Sequence, residues 1–273
     1  RPASYCGVVG FKPTFESVDR YGLIPFSPSS DTVGWMTRSV EDTALLWEVL
    51  YDTSVKNLDL SSVATDDRLS VEGVKSTIRL GFISDFFLEE SDEETQDNFN
   101  ETLETLDVAG ASVDEVRLPK SFYNFIHDQK VITEVEGARF HRGMFEKDPS
   151  LYSPLLSATI ESGLKRSSEQ YSTALARQIE FKADMEILAT EVDILLTPST
   201  PSPAPSDLTT TGNGMFQGPW SACGLPTLSL PSGLSSDGLP FGIQLIGQSF
   251  GDQSLLKRAR WCETVLDIDF SPL

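Results

Sequence analysis

The chain has 273 residues, 39% of them hydrophobic, with a mean hydropathy of -0.15, a composition able to bury a sizeable core in one large domain or two small ones. No apolar run approaches the roughly 20 residues of a membrane span, so a membrane is not expected as a partner. Acidic residues outnumber basic ones 41 to 21, for a net charge of -20, which argues against nucleic-acid binding because phosphate contacts need Lys and Arg patches.

In chain order, Ser39 followed by Asp42 marks a helix start. Val40, Ala44, Trp47 and Leu50 recur at helical spacing, predicting a helix over 39–52. Residues 54–75 are polar and read as a loop. IRLGFI (78–83) predicts a short buried strand. Ser91 with Glu94 reads as the cap of a helix over 92–108, with Phe99, Leu103 and Leu106 as its apolar stripe and Gly110 at its end. ASVDEVRL (111–118) alternates like a half-exposed strand. This strand–helix–strand order predicts a parallel pair joined by a crossover helix.

Residues 121–190 read as mostly helical, the clearest piece starting at Ser167 with Gln170 in the capping-box position. VDILL (192–196) predicts a strand leading into the Pro-rich loop TPSTPSPAPS. TLSLPSG (227–233) and FGIQLIG (241–247) read as paired or neighbouring strands around the turn SSDG, and 252–266 as a closing amphipathic helix. There is no internal repeat and no domain boundary. The expected class is α/β: a mixed, mostly parallel sheet flanked by helices.

Twelve acids and no Lys or Arg fall between Asp85 and Glu115, read as a solvated helix face or, alternatively, a docking surface for a basic partner. Cys6, Cys223 and Cys262 form an odd set without CxxC spacing. They imply neither a disulfide framework nor a zinc site, and fit a reduced, intracellular, cytoplasmic compartment. His127 and His141 lack HExxH spacing and read as packing or surface residues.

Two short stretches mimic catalytic motifs. Gly247-Gln248-Ser249-Phe250-Gly251 matches GxSxG, yet no histidine follows it in the chain to act as base. Ser162-Gly163-Leu164-Lys165 matches SxxK, but its polar surroundings predict a solvated, protonated lysine. Neither gives a nucleophile–base pair.

Longer blocks carry more. RPASYCGVVGFKPT (1–14), RYGLIPFSPSSDTVGWMTRSVEDTALL (20–46), VDILLTPSTPSPAP (192–205) and FQGPWSACGLPTLSLPSGLSSDGLPFGIQLIG (216–247) occur in this order. Together they resemble the amidase signature family across nearly the whole chain, most weakly over 53–190. The resemblance implies hydrolysis of a carboxylic amide through a serine–serine–lysine triad with no metal or organic cofactor. It places the nucleophilic serine in a Gly-Gly-Ser-x-Arg-type stretch that directly precedes the segment matching Pro2-Ala3, with Arg1 at most the tail of that stretch, and the second serine and the lysine further upstream. No residue of 1–273 is therefore assigned as catalytic. Residues 1–273 are expected to be the C-terminal part of a single amidase domain, inactive alone and aggregation-prone or molten in isolation.

On the same resemblance, Thr197, Phe216, Gln217 and Trp220 are candidates for loops facing the acyl side of the substrate, although one of the two aromatics is expected in the core. Cys6, Gly7 and Gly10 would belong to the strand and turn after the nucleophile, and Asp31 would cap a neighbouring turn or form a plain Asx-turn. The expected partner is a small-molecule amide, with no direct nucleic-acid contact; a homo-oligomer is left open. Two alternatives stand beside a general or allophanate-hydrolase-like amidase. One is the glutaminase-type subunit of a glutamyl/aspartyl-tRNA amidotransferase. Its glutamine-holding acid, aligned on Gly224-Leu225-Pro226, falls on Gly214, which has no carboxylate. The other is a non-catalytic remnant that binds a partner through the acidic 85–115 surface.

Overall fold

A computed structural model describes residues 1–51 and 77–268; the loop expected over 54–75 and residue 52 of the first expected helix lie outside them. Among the described residues seven strands form one sheet: β1 (Val9–Lys12), β2 (Trp35–Thr37), β3 (Arg79–Ile83), β4 (Ser112–Val116), β5 (Ile194–Pro198), β6 (Thr227–Leu234) and β7 (Pro240–Ile246). Their order across the sheet is β2-β1-β6-β7-β5-β3-β4. The α/β class holds, with a different balance of directions. Of the pairs between these strands, β3–β4 and β3–β5 are parallel, whereas β1–β2, β1–β6, β5–β7 and β6–β7 are antiparallel. For β6–β7 the reason is local: the short SSDG turn, closed by Gly238 N–H to Ser235 O at 2.9 Å, folds β7 straight back on β6, and a tight hairpin can only join antiparallel strands.

The parallel pair is the one expected, and α3 (Glu93–Val108) is its crossover. The cap of α3 is Asp92 rather than Ser91. Asp92 Oδ1 accepts from Thr95 N–H at 2.8 Å, while the Ser91 hydroxyl donates to Phe87 O at 2.7 Å. At its other end Gly110 takes φ 107°, and Ala111 N–H reaches Leu106 O at 3.1 Å, a left-handed exit that glycine adopts without a Cβ penalty. The other α-helices described are α1 (Pro2–Tyr5), α2 (Val40–Leu50), α4 (Lys120–Phe125), α5 (Gln129–Lys147), α6 (Pro154–Lys165), α7 (Ser168–Glu191), α8 (Gly218–Cys223) and α9 (Asp252–Leu266).

Ser39 caps α2 through Asp42 N–H (3.1 Å), and Ser167 and Gln170 form the capping box of α7, both as the spacing predicts. On α6, Lys165 is exposed, as expected of the SxxK stretch. Ser249 lies in the turn between β7 and α9, and His141 packs in the interior with Nδ1 3.2 Å from the Tyr152 hydroxyl.

Two cores flank the sheet. On one face α2, α3 and α9 cover Val9, Phe11, Leu80, Leu196, Leu228, Leu230, Ile243 and Leu245. On the other, α4, α7 and α8 close over Leu195 and Ile246 with an aromatic cluster of Phe87, Phe122, Phe125, Phe181, Phe216 and Trp220. Among the described residues no helix is long and apolar enough to cross a membrane. The acids of α3 (Glu93, Glu94, Asp97, Glu101, Glu104 and Asp107) are all exposed, while Phe99, Leu103 and Leu106 face the core. This is the solvated-face arrangement of an amphipathic helix.

Candidate functional site

Strand periodicity places Leu228, Leu230, Ile243 and Leu245 on the first core and the residues between them on the opposite face. There Gly10 is paired with Ser229, Ser229 with Gln244, and Gln244 with Thr197, in register across four adjacent strands. The row is polar and buried: Ser229 is 8% exposed, Gln244 3% and Thr197 0%. Buried polar groups need partners. The Gln244 Nε2 amide donates to Thr197 Oγ1 and to Phe216 O, both at 3.2 Å, and the Ser229 and Ser199 hydroxyls are 2.8 Å apart.

Over this row lies a cavity of about 270 Å³, lined by Arg1, Pro2, Ala3, Gly10, Phe11, Lys12, Gly34, Trp35, Met36, Gln217, Trp220, Ser221, Thr227, Ser229 and Gln244. Its walls are predominantly apolar: Trp35 meets Phe11 edge-on at 5.2 Å, and Trp220 stacks on Phe87 at 5.5 Å. Close backbone approach shapes it. A Cβ on Gly10 would come within 2.4 Å of Ala3 Cβ, and one on Gly34 within 2.6 Å of Phe11 O.

Among the described residues six buried side-chain N or O atoms lack a hydrogen-bond partner, and three belong to residues lining this cavity: Arg1 Nε, Gln217 Oε1 and Trp220 Nε1. Leaving such an atom without any partner costs about 1–3 kcal/mol, a cost that water or a bound molecule can relieve. The charged lining residues are Arg1 and Lys12. The Arg1 guanidinium is turned to the loop, donating to Gly212 O at 2.9 Å and Thr211 Oγ1 at 3.1 Å. Lys12 Nζ donates to Leu225 O at 2.6 Å and Pro13 O at 3.1 Å. Burial lowers the Lys12 pKa to about 8, because a low-dielectric setting disfavours the cation. Nearby Cys223 is pushed up to about 11 by burial, which makes it a packed thiol rather than a nucleophile.

The structure sorts the residues singled out in the sequence. Gln217 and Trp220 line the cavity; Gln217 opens the short helix α8 and donates through Nε2 to Ser199 O. Thr197 lies in strand β5, not in a loop, because the strand runs two residues beyond Leu196. It reaches the site through Gln244. Phe216 does not line the cavity. Its ring is fully buried against Phe87 (5.0 Å) and Phe86 (6.0 Å), and its backbone carbonyl receives Gln244. Both aromatics are therefore core residues, and Trp220 also borders the cavity.

Gly10 is on the wall. Cys6 is exposed and Gly7, at φ 62°, turns the chain from α1 into β1; neither lines the cavity. Asp31 also stands apart. Its Oδ2 accepts from Phe26 N–H (2.8 Å) and Ser27 N–H (3.0 Å), closing the 26–31 turn backwards and not as an Asx-turn. Lys12, Trp35, Ser229 and Gln244 are site residues that sequence reasoning misses. The polar alternation within TLSL and FGIQL is the available signal for the last two. Among the described residues no group of three or more His, Cys, Asp or Glu is placed to hold a metal ion.

Comparison with known proteins shows the family. The family model described as Amidase matches residues 1–256. A glutamyl-tRNA(Gln) amidotransferase subunit from Oceanobacillus iheyensis is 30% identical over 95% of the chain and 59% of its own length. The corresponding mitochondrial protein of Xenopus tropicalis is 33% identical over 100% of the chain and 58% of its own length. The chain thus spans about three-fifths of the curated relatives it matches. Among solved structures, the crystal structure of an amidase superposes with a TM-score of 0.80 at 30% identity, covering 96% of this chain and 59% of that one. A second superposes with a TM-score of 0.81 at 27% identity, covering 96% and 59%; it is described as a vestigial protein complex that reveals the evolutionary origins of an s-triazine catabolic enzyme. The chain belongs to the amidase family.

Proposed function

We propose that the protein hydrolyses a carboxylic amide C–N bond through an acyl-serine intermediate, and that this chain supplies the acyl-side cavity and its polar floor. One observation carries the reading: Arg1, Pro2 and Ala3 form part of the cavity wall, and the family resemblance places the stretch that carries the nucleophilic serine directly before Pro2, with Arg1 at most its tail. The reacting carbonyl would then sit at the Arg1 end of the cavity.

In the chemistry that the resemblance implies, the serine oxygen attacks the amide carbonyl while its proton passes through the bridging serine to a neutral lysine. Backbone N–H groups stabilise the oxyanion. The C–N bond breaks as that proton is returned to the leaving nitrogen, and water then hydrolyses the acyl ester. This chain's own share is positioning and exclusion of water. Phe11, Trp35, Met36 and Trp220 enclose the acyl group, and the Gln244–Thr197–Phe216 bonds hold the segment leading into α8 against the sheet.

A second reading, the glutaminase-type subunit of a tRNA amidotransferase, is favoured by the names of the relatives. Against it stands Gly214, the position aligned with that branch's acid. A Cβ there would lie 3.1 Å from the Arg1 guanidinium, so the nearby charge is positive where glutamine's α-ammonium needs a carboxylate. The acidic surface over 85–115 has no specific observation in favour of a binding role. The experiment is ammonia release by the protein expressed from its complete reading frame, with simple alkyl and aryl amides set against glutamine. Turnover of simple amides supports the first reading; turnover of glutamine alone supports the second; turnover of neither contradicts both.

A further inference from the structure

The loop between β5 and α8 passes beside Arg1, whose guanidinium donates to Gly212 O and Thr211 Oγ1. The next residue in that loop is Asn213. The chain has five asparagines, and Asn213 is the one followed by glycine. Asn98 and Asn100 lie in α3 and Asn124 in α4, each before Phe or Glu, while Asn57 lies outside the described residues. Asn98 is further tied by its side chain to Ser232, at 3.1 Å to the carbonyl and 2.6 Å from the hydroxyl. Asn213 and Gly214, by contrast, are both exposed and belong to no helix or strand. Asn213 Oδ1 accepts from Met215 N–H at 3.0 Å, which closes an Asx-turn. Such a turn curls the side-chain amide over the peptide that follows it. It brings Asn213 Cγ toward Gly214 N, the two atoms that a five-membered ring would join, and the bonded N–H draws electron density from the Cγ carbonyl. Asn213 Nδ2 lies 2.9 Å from Met215 Sδ, a weak acceptor that holds the amino group lightly. Gly214 has no side chain to shield its nitrogen, and its backbone has the freedom that ring closure needs.

We propose that Asn213-Gly214 is a site of spontaneous covalent modification in the folded protein, where the asparagine converts to aspartate and isoaspartate through a cyclic imide. Solvent base removes the Gly214 amide proton. The nitrogen attacks Asn213 Cγ and forms the new C–N bond. The Cγ–Nδ2 bond breaks, and Nδ2 takes a proton from solvent and leaves as ammonia. Water then opens the imide. Attack at Cγ restores the normal chain with an aspartate side chain. Attack at the backbone carbonyl carbon routes the chain through Cβ and gives isoaspartate. Nothing is oxidised or reduced. Either product adds one negative charge to the loop that Arg1 holds, whichever amide the cavity takes.

The test holds the protein expressed from its complete reading frame, folded, in mildly alkaline buffer. A synthetic peptide of residues 207–219 runs beside it as the clock for an unrestrained Asn-Gly pair. Peptide mapping by mass spectrometry follows replacement of NH2 by OH at each asparagine, and isoaspartyl methyltransferase labels the isoaspartate. The expected result is conversion of Asn213 ahead of Asn98, Asn100 and Asn124, at a rate within about tenfold of the peptide, each factor of ten being about 1.4 kcal/mol of barrier. Both products should form, and faster at higher pH. Gly214 has no positive φ, so alanine suits its backbone; Gly214→Ala should slow the conversion by about tenfold or more through the shielding methyl group. An Asn213 that stays intact once the peptide has been consumed overturns the proposal, as does equal conversion in the parent and a folded Gly214→Ala.

Discussion

Gln244 on β7 lies opposite Thr197 on β5 and donates its side-chain amide both to the Thr197 hydroxyl and to the backbone carbonyl of Phe216, each at 3.2 Å. One buried amide thus ties the sheet to the segment that enters α8, the helix bearing Trp220 and Ser221. Replacing Gln244 with Leu keeps the volume but strips both acceptors. The expected loss is about 1–3 kcal/mol of stability, the cost of stranded buried groups, together with a raised KM as α8 loosens. Urea unfolding of the variant and the parent checks it, and a loss inside experimental error would mean that the amide does not hold α8.

Lys12 gives a pH prediction. Its folded-state pKa is lowered from 10.5 to about 8, so between these values the unfolded chain holds a proton that the folded chain has released. Stability therefore gains from this group as pH rises from about 8 toward 10.5, and carries the full burial penalty below about 8. Other groups titrate there too, so the quantity to measure is the difference in pH slope between the parent and Lys12→Met. The parent should show the more positive slope over this window; identical slopes would place the Lys12 pKa near its ordinary value.

Gly10 and Ala3 form a steric pair. A methyl group at Gly10 would lie 2.4 Å from Ala3 Cβ, forcing α1 away from β1 at the cavity wall. Gly10→Ala should cost about 1–3 kcal/mol, as overpacking does. Adding Ala3→Gly should recover much of that, because the second change removes the atom that clashes. Thermal unfolding of the two single variants and the double variant forms the cycle, and plain additivity would contradict this contact as the cause.

The parts of the fold that are legible in the sequence are those set by local rules. Ser39 and Ser167 cap their helices within three residues, Gly110 ends α3, and Asp252–Leu266 is amphipathic enough to be bounded by eye. Ser91 passes for a cap because Asp92 next to it has the same chemistry and the better position. Strand direction is less local: β5 returns beside both β3 and β7 after four helices, and no single segment encodes that. The site is half legible. The alternation of Thr227 and Ser229 with Leu228 and Leu230 announces a sheet face that is not all core, but not what covers it. Phe216 reads like a loop aromatic because its partners, Phe86 and Phe87, lie far away in the chain. Lys12 reads like any solvated lysine until Leu225 O is found against its ammonium.

Ser221 offers the most direct test of the claim that this cavity receives the acyl group of the substrate. It lines the cavity from α8 and is half-buried, so a larger side chain there fills the space without entering the core. The measurement is kcat/KM for an aryl amide by the protein from the complete reading frame, parent against Ser221→Phe, with thermal unfolding to establish that both are folded. The account predicts a fall of about tenfold or more at unchanged stability, as expected when an apolar group loses its pocket. An unchanged kcat/KM in a folded variant would contradict it, and the acyl group would then have to bind elsewhere.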